Sequence, residues 1–334
     1  MTWQPGEKLQ NGKYTIKKEL GRGRFAITYL AESQGQDVVI KTLNPDLLQQ
    51  LSDQECDRLQ SGFADESRKL EKCQHPHIVR VLENFTQGSS LCMVMEYVRG
   101  VTLDQLVERG LPKKEALKYI QQIGQAVTVV HQQGFLHRDI KPANIIIRHG
   151  KTEAVLIDFD SARGFDHPLT SRSPREEGFT PPELYSNSAK QQARRGAWTD
   201  IYSLAATLYM LLTGEQPTSA IDRKDQNKRL IPPKELNQEV SDRVNQAILH
   251  AMELDTDKRP QTVTTWLTEL GVHDSLTLPN WVRIQPLWMW IVEAVTLLVL
   301  FGSLISIAND ALDLREKIFP NQLPTQKAPP SPKN

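Results

Sequence analysis

The sequence predicts an α+β protein in which a small β-rich part comes first, a larger α-helical part follows, and an apolar helix lies near the C-terminus. Three observations predict this order. Residues 14–45 alternate apolar and polar side chains between glycine-containing turns, as short β-strands do. Helical spacing dominates residues 198–270. Residues 288–308 form an apolar run with a single charged residue.

Composition limits the function classes. The 334 residues suffice for one large or two ordinary domains, and 40 basic residues balance 40 acidic ones. A neutral chain has no global basic field, so we expect no nucleic-acid partner. The cysteines are odd in number and form no CxxC pair, which favours a reducing compartment over a disulfide framework; we expect Cys56, Cys73 and Cys92 to be buried or half-buried apolar residues. The N-terminus has no apolar core of a secretory signal.

The first part is expected to form a mostly antiparallel sheet. Its runs of β-type residues are separated by glycine turns, as in YTIKKELGRGRFAITYLAESQGQDVVIKTL. Residues 58–74 and 112–131 have helical spacing, and Pro112 stands where the first turn of a helix tolerates proline. Two further helices are predicted around WTDIYSLAATLYMLLTG and DRVNQAILHAMEL.

A glycine-rich stretch, GRGRFA, lies between two predicted strands. Gly21, Gly23 and Ala26 fit a GxGxxA pattern, in which backbone N–H groups can approach phosphate oxygens without interference from a Cβ atom. The alternative is a glycine-rich hairpin that binds nothing. A dinucleotide-binding fold would need a helix directly after the glycines, but ITYLAES continues as a strand, which excludes that fold.

A lysine and a glutamate follow at a suggestive spacing. Lys41 ends the apolar strand VVIK, where a surface lysine is the ordinary alternative. Glu66 lies on a predicted helix whose apolar positions Phe63, Leu70 and Cys73 would face the sheet. If that helix docks on the sheet, Glu66 can pair with Lys41 and aim its ammonium group at phosphates.

The stretch HRDIKPAN carries the strongest chemical signal. Asp139, Lys141 and Asn144 offer a carboxylate to accept a hydroxyl proton, a cation for a transferred phosphoryl group and an amide oxygen for Mg²⁺. Asp158, at the end of the strand-like run VLIDFD, is a second metal ligand, although two solvated aspartates opening a loop are the alternative for this run alone. The ordered set, with the glycine loop and Lys41 upstream, favours a phosphoryl-transfer site.

On these motifs the chain resembles the eukaryotic-type, or Hanks-type, protein kinases over about residues 14–270. HRDIKPAN, with Lys141 two residues after the aspartate, resembles the Ser/Thr subfamily. FAITYLA, GFTPPELY and DIYSLAATLYMLLTG are similar to bacterial, particularly cyanobacterial-type, Ser/Thr kinases. The resemblance implies a two-lobed protein-kinase fold with an N-terminal extension at 1–13, an N-lobe at 14–97 and a C-lobe at 98–270.

The resemblance also implies ATP and Mg²⁺ as cofactors, with Mn²⁺ as a substitute ion, and a set of binding residues. MVMEYV would form the hinge between the lobes, with Met95 as gatekeeper and the backbones of Glu96 and Val98 holding adenine. The implied ATP-binding residues are Leu20, Gly21, Gly23, Ala26, Thr28, Val39, Lys41, Glu66, Met95, Glu96 and Val98.

Catalytic and structural roles follow from the same resemblance. Asp139 would position the substrate hydroxyl and accept its proton, Lys141 would steady the γ-phosphate, and Asn144 with Asp158 would hold Mg²⁺. Glu183 of PPE would pair with Arg259 of DKRP. Asp200 would be the buried aspartate that supports the catalytic loop.

Four positions depart from the family pattern. Asp160 stands for a glycine, Ala26 for the third loop glycine, Thr28 for a valine and Val39 for an alanine. None removes a group that handles phosphate, metal or protons, and Asp160 is expected to restrict switching of its loop. A membrane-anchored pseudokinase, a nucleotide-binding scaffold without phosphoryl transfer, remains the alternative function.

Regulation by phosphorylation is expected at the activation loop. Arg138 directly precedes Asp139, and in kinases of this kind a phosphate on the activation loop docks against that arginine. The candidate phosphosites are Thr170, Ser171 and Ser173, whereas Thr180 is treated as structural. Alternatively, Arg138 is satisfied without phosphate, through the local arginines Arg172 and Arg175 or through the acidic pair Glu176 and Glu177.

The apolar run predicts a transmembrane helix at residues 288–308, after a juxtamembrane linker at 271–287. Its 21 residues would span about 31 Å, and Trp288 and Trp290 stand at one end like interfacial anchors. The alternative is a buried helix of the soluble part. A polar, proline-rich tail covers residues 309–334, and its residues 320–334 are expected to be disordered.

A single-pass membrane location with a cytoplasmic kinase domain is therefore expected. Counting positive charges favours the opposite orientation, since Arg283 on the kinase side faces Arg315, Lys317 and Lys327 on the tail side. The requirement for ATP outweighs this count. The expected partners are protein substrates bearing Ser or Thr and the lipid bilayer. The predicted membrane helix either simply tethers the kinase or pairs in a homodimer through Glu293.

Overall fold

The computed structural model describes residues 2–108, 110–159, 178–185 and 195–272. Several predictions lie outside these residues: the transmembrane helix at 288–308 with its linker and tail, the three candidate phosphosites, and the effect of Asp160. Within the described ranges, no helix combines the length and the apolar character needed to cross a membrane. The transmembrane helix therefore stays a prediction.

A six-stranded antiparallel sheet forms the N-terminal part, as the strand-like alternation predicted. Its strands are β1 (Lys8–Leu9), β2 (Tyr14–Arg22), β3 (Ala26–Ser33), β4 (Gln36–Leu43), β5 (Val81–Gln87) and β6 (Ser90–Glu96). The strand order is β1-β2-β3-β4-β6-β5. The sheet begins at Lys8, before the lobe boundary predicted at residue 14, because the fully buried Leu9 pairs with Tyr14 of β2.

Two helices lie between β4 and β5: the short α1 (Pro45–Leu48) and the long α2 (Asp53–Lys72). Helix α2 begins before the predicted residue 58, since Ser52 and Glu55 form a capping box in which the Ser52 N–H donates to Glu55 Oε2 at 2.9 Å. Phe63, Glu66 and Leu70 are its buried side chains that recur at helical spacing. The helix thus buries one carboxylate beside the apolar Phe63 and Leu70 and the hydroxyl of Ser67.

The C-terminal part is mostly helical, as predicted. Its helices are α3 (Leu103–Val107), α4 (Lys113–Gln132), α5 (Ala197–Thr213), α6 (Ala220–Asp225), α7 (Pro233–Leu236), α8 (Asp242–Ala251) and α9 (Val263–Leu270). Helix α5 is buried on almost all sides and packs against α4, α8 and α9, so its apolar sequence is that of a central core helix.

A small antiparallel sheet of β7 (Gly100–Thr102), β8 (Ile145–Arg148) and β9 (Ala154–Leu156) lies between the β-rich and helical parts. Gly100 is required there, because a Cβ atom at this position would lie 2.0 Å from the Ile147 carbonyl oxygen. Strand β9 also joins the loop after α2: Val79 N donates to Leu156 O at 3.0 Å, and Leu156 N donates to His77 O at 2.9 Å. The chain that leads to Asp158 is therefore anchored to the N-terminal part.

The main apolar core runs from α2 and β6 through β8 and β9 into the helical part. A second cluster, which includes Leu9, Tyr14 and Phe85, packs within the N-terminal sheet. All three cysteines are free; Cys73 and Cys92 are buried and Cys56 is half-buried, which confirms the interpretation as small apolar residues. Burial raises the pKa of Cys73 to about 11.

Candidate active site

The loop between α4 and β8 brings three polar side chains together. Asn144 Nδ2 donates to both Asp139 O and Asp139 Oδ2 at 2.8 Å, and Lys141 Nζ lies 3.0 Å from Asp139 Oδ2. A short 3₁₀ turn over Pro142–Asn144 produces this approach. Asp139 is only 5% exposed, so its carboxylate lies in a protected position with a cation and an amide beside it.

Asp200 of α5 holds this loop from behind. Its buried carboxylate accepts the backbone N–H groups of His137 at 2.9 Å and Arg138 at 2.8 Å, and His131 Nε2 lies 2.7 Å away. Arg138 has a φ of 66°, a left-handed conformation that non-glycine residues adopt only when their surroundings hold them there. Burial acts to raise the pKa of Asp200, but His131, His137 and the backbone N–H of Arg138 together outweigh it, so the pKa lies below its ordinary value.

Lys41 of β4 lies between two carboxylates. Its Nζ is 2.7 Å from Asp158 Oδ1 and 3.6 Å from Glu66 Oε1, and it donates to the Phe159 carbonyl at 3.0 Å. Glu66 is thus close to Lys41, as its spacing on α2 suggested, but Asp158 is the nearer partner. The sequence did not reveal this second contact, which joins two residues from distant parts of the chain.

Asn144 and Asp158 present oxygen atoms of the kind that Mg²⁺ binds. Ile157 N donates to Asn144 O at 2.9 Å, which places Asp158 beside the catalytic loop. The Asp158 side chain is 50% exposed, and Asn144 directs its Nδ2 to Asp139, so a carboxylate and an amide oxygen remain for a hard cation. These donors fit the magnesium role that the resemblance implies.

The N-terminal sheet carries the predicted nucleotide-binding residues on adjacent strands. Thr28 pairs with Lys41 and Val39 with Met95 in the strand register. Leu20 lies where the β2–β3 register shifts, and its side chain is 42% exposed although it is a large apolar residue. Single exposed apolar side chains are ordinary on protein surfaces, so this exposure is compatible with the predicted nucleotide contact but does not identify it.

The glycine-rich turn has space for a ligand. Gly23 N donates to Ala26 O at 2.8 Å and closes the turn. Among the described residues other than its two chain neighbours, no atom lies within 4 Å of the position that a Cβ atom of Gly21 would take. Since the fold itself does not demand a glycine at residue 21, the missing side chain instead leaves room beside the backbone.

The hinge residue Glu96 makes contacts that the sequence did not reveal. Glu96 N donates to Arg80 O at 2.9 Å, so this backbone N–H is used within the protein. The Glu96 carboxylate accepts Arg148 Nη2 at 3.0 and 3.1 Å and also accepts Arg80 N at 3.1 Å. Val98, the other predicted hinge residue, is buried.

Glu183 and Arg259 form a bidentate ion pair, as the resemblance implied. The Nη1–Oε1 and Nη2–Oε2 distances are 2.8 and 3.0 Å, and both side chains are buried. Thr199 Oγ1 donates to Glu183 Oε1 at 2.9 Å. Thr180, which is predicted to be structural, lies three residues before Glu183 and is fully buried.

Sequence reasoning missed four residues around the site. His131 had a usable signal, because it follows the buried Val127 and Val130 at helical spacing and so lies toward the core side of α4. Asn44 had the signal of a polar residue followed by proline, which is typical of a helix N-cap. Nothing local marked Arg148 or Arg195, whose partners come from other elements.

The fold and the site are those of the protein kinase family. The family model described as "Protein kinase domain" matches residues 14–283, and the chain belongs to that family. Its relatives include serine/threonine-protein kinase PkaB of Streptomyces coelicolor, which is 35% identical over 61% of this chain and 49% of that protein. Serine/threonine-protein kinase PknB of Mycolicibacterium smegmatis is 30% identical over 78% of this chain and 43% of its own length. Serine/threonine-protein kinase pkn2 of Myxococcus xanthus is 31% identical over 64% of this chain and 26% of its own length.

The alignments thus span about a quarter to a half of these relatives' lengths. Among solved structures, the apo form of PpkA-294 aligns with a TM-score of 0.64 and 25% identity, over 80% of this chain and 99% of that one. The kinase domain of Mycobacterium tuberculosis PknI aligns with a TM-score of 0.61 and 22% identity, over 81% of this chain and 98% of that one. The latter likeness supports the fold.

Proposed function

We propose that this protein is an ATP-dependent serine/threonine protein kinase that transfers the γ-phosphoryl group of ATP to hydroxyl groups of protein substrates. One observation carries the proposal: Asp139, Lys141 and Asn144 are joined by direct contacts, and Asp158 reaches Lys41 of the other lobe at 2.7 Å. The relatives named as serine/threonine-protein kinases support the same activity. The Lys141 position supports Ser/Thr rather than Tyr as acceptor.

Each residue then has a defined task. The Asp139 carboxylate orients the substrate hydroxyl and accepts its proton, while Lys141, 3.0 Å from Asp139, balances negative charge at the transferred group. Lys41 steadies the α- and β-phosphates, with Glu66 orienting its ammonium group. When bound, ATP with Mg²⁺ or Mn²⁺ supplies the phosphoryl group and neutralises its charge, with Asn144 and Asp158 as the protein's metal ligands.

Transfer of radiolabel from ATP to a generic basic protein tests the activity. Asp139→Ala is the control, and we expect it to lower the rate by about 100- to 10,000-fold through loss of the proton acceptor. The alternative, a nucleotide-binding pseudokinase, predicts that the wild-type protein binds ATP yet transfers no more label than Asp139→Ala. That result would contradict the proposed activity.

We further propose that residues 288–308 tether the kinase to a membrane in a single pass, with the kinase domain in the cytoplasm. The support is the apolar sequence and the need of the catalytic site for ATP. Protease added to intact cells should remove a C-terminal tag and leave the kinase intact. Protection of the tag with digestion of the kinase would show the opposite orientation. Recovery of the protein in the soluble fraction would contradict the proposed membrane tether.

Pairing of two membrane helices through Glu293 is a separate proposal. An intramembrane carboxylate favours a hydrogen-bonded partner over lipid. Glu293→Leu should therefore reduce crosslinked dimers of the full chain while leaving it in the membrane fraction. Unchanged crosslinking would leave simple tethering as the function of the helix.

Activation by phosphate on Thr170, Ser171 or Ser173 also remains a proposal. The described residues support an anion near Arg138: burial, followed by the nearby charge of Arg138, lowers the pKa of Arg195 below its ordinary value. Arg138 and Arg195 also line the same cavity, and two guanidinium groups there favour a negative group beside them. Mass mapping after incubation with ATP and Mg²⁺ should find phosphate on this segment, and full activity of a T170A/S171A/S173A variant would show that phosphate is not needed.

A further inference from the structure

The glycine-rich turn is held by the residues that follow β4. Asn44 Nδ2 donates to the Gly23 carbonyl at 3.0 Å, and Asn44 N donates to the Phe25 carbonyl at 2.8 Å. Asp46 Oδ2 lies 3.4 Å from Arg22 Nη1, and the same guanidinium binds Glu19 at 2.6 Å. Contacts from residues 44–46 therefore reach three positions of a turn that is otherwise exposed.

The orientation of the Asn44 amide is determined by its surroundings. Its Oδ1 accepts the N–H of Asp46 at 3.0 Å, as the N-cap of α1. With the oxygen committed to a donor, the nitrogen must face the Gly23 carbonyl. Asn44 is 8% exposed, so both bonds are shielded from water. Several residue types could cap the helix, but an amide of this length both caps it and donates to the turn.

These two bonds orient the backbone of the turn. In a trans peptide the N–H points opposite to the C=O of the same unit. Because the carbonyls of Gly23 and Phe25 point to Asn44, the amide N–H groups of Arg24 and Ala26 point away from it. Backbone amides of a glycine-rich loop are the groups that bind phosphate oxygens of a nucleotide.

We propose that Asn44 is a positioning residue for the phosphates of ATP. It contacts no reacting atom; by holding the carbonyls of Gly23 and Phe25, it presents the amides of Arg24 and Ala26 to the β- and γ-phosphates. The proposal rests on the proposed kinase function and adds a residue that acts through the loop. It predicts an effect that depends on the phosphates rather than on the adenine ring.

The test compares ATP with adenosine. Binding of each, in the presence of Mg²⁺, is measured by calorimetry for the wild-type full chain and for Asn44→Ser, whose hydroxyl keeps an oxygen for the N-cap of α1 but is too short to reach Gly23. Because the loop must then be ordered when ATP binds, ATP binding should weaken by no more than the worth of the lost hydrogen bond, about three- to tenfold, and the KM for ATP should rise similarly. Adenosine binding should be unchanged, and kcat should change less than KM.

Ser241→Ala is the matched control, because Ser241 Oγ caps α8 in the helical part, far along the chain from the loop. It should lower stability without changing the ratio of ATP to adenosine affinity. An unchanged ratio in Asn44→Ser, or an equal loss for both ligands, overturns the proposal. If the wild-type protein binds ATP without transferring phosphate, the proposed kinase activity fails, while the affinity ratio still decides the role of Asn44.

Discussion

At the scale of single residues, the site depends on charged groups removed from water. Lys41 and Glu66 are both buried, and their ion pair at 3.6 Å is looser than the contact of Lys41 with Asp158 at 2.7 Å. A buried carboxylate is costly without a nearby cation, so each of these side chains constrains the other. Under the proposed function, catalytic competence and stability are therefore linked at one lysine.

Lys41→Met, alone and combined with Glu66→Gln, should separate the effect of Lys41 on stability from its effect on phosphoryl transfer. The single variant leaves the Glu66 carboxylate without the cation beside it, and we expect it to lose about 3 kcal/mol of unfolding free energy. The double variant Lys41→Met/Glu66→Gln should regain much of this loss, while neither variant transfers phosphate. Urea unfolding and radiolabel transfer measure the two effects. Equal stability of single and double variants would contradict the argument.

His75 makes stability depend on pH. Burial, followed by the charge of neighbouring His77, lowers the pKa of His75 to about 4, and its Nδ1 accepts the N–H of His77. Between pH 6.5 and 4 the unfolded chain binds a proton at this residue that the folded protein does not, so stability is complete above pH 6.5 and falls as the pH drops.

His75→Asn keeps an acceptor for the His77 N–H but cannot titrate. Because the ring is partly exposed, we expect the wild-type protein to lose only about 1 kcal/mol more than this variant between pH 7 and pH 4.5. Urea unfolding at several pH values measures the difference. Parallel stability curves for the two proteins would show that His75 does not contribute.

At the scale of elements, α5 determines the conformation of the catalytic loop. Asp200 accepts two consecutive backbone N–H groups, and the second belongs to Arg138, whose φ of 66° needs external support. Asp139 follows directly. A side chain on a core helix thus sets the direction of the catalytic carboxylate without touching it.

Asp200→Ala should release the loop. Two buried N–H groups lose their acceptor, so we expect a loss of about 2 to 3 kcal/mol in stability, faster hydrogen exchange at His137 and Arg138, and a kcat lowered by about 100-fold through displacement of Asp139. Thr207→Ala on the same helix removes a buried hydroxyl that donates to the Ser203 carbonyl. It should destabilise the helix while leaving exchange in the catalytic loop unchanged, and a similar loop effect in both variants would contradict the proposed role.

At the scale of the whole molecule, distant segments are joined by buried ion pairs. Arg259, just before α9, binds Glu183 in a fork-to-fork contact across 76 residues of sequence. Its Nε also donates to the Glu253 carbonyl at 2.6 Å. The pair ties the short turn Pro182–Leu184 to the helical core.

Arg259→Lys and Arg259→Met should differ in a graded way. Lysine keeps the charge but cannot make the bidentate contact, so we expect a loss of about 1 to 2 kcal/mol. Methionine leaves Glu183 buried beside an apolar group, with a loss of about 3 to 4 kcal/mol and a melting temperature lowered by roughly 10 °C. Thermal unfolding measures both losses. A lysine variant as stable as the wild-type protein would mean that the fork geometry is unimportant, and equal losses would mean that the charge alone contributes nothing.

The sequence by itself determined the order of the β-rich and helical parts, the long helices and the residues that carry the chemistry, because each depends on a pattern within a few consecutive residues. The sequence did not predict that the sheet begins at Lys8, because the pairing of Leu9 extends it beyond its periodic part. It also did not predict that α2 begins at Asp53, because the Ser52 capping box extends that helix in the same way. Only the tertiary structure decided that Lys41 contacts Asp158, 117 residues away, and that Asn44 holds Gly23, because such partners depend on how strands, helices and loops pack in space.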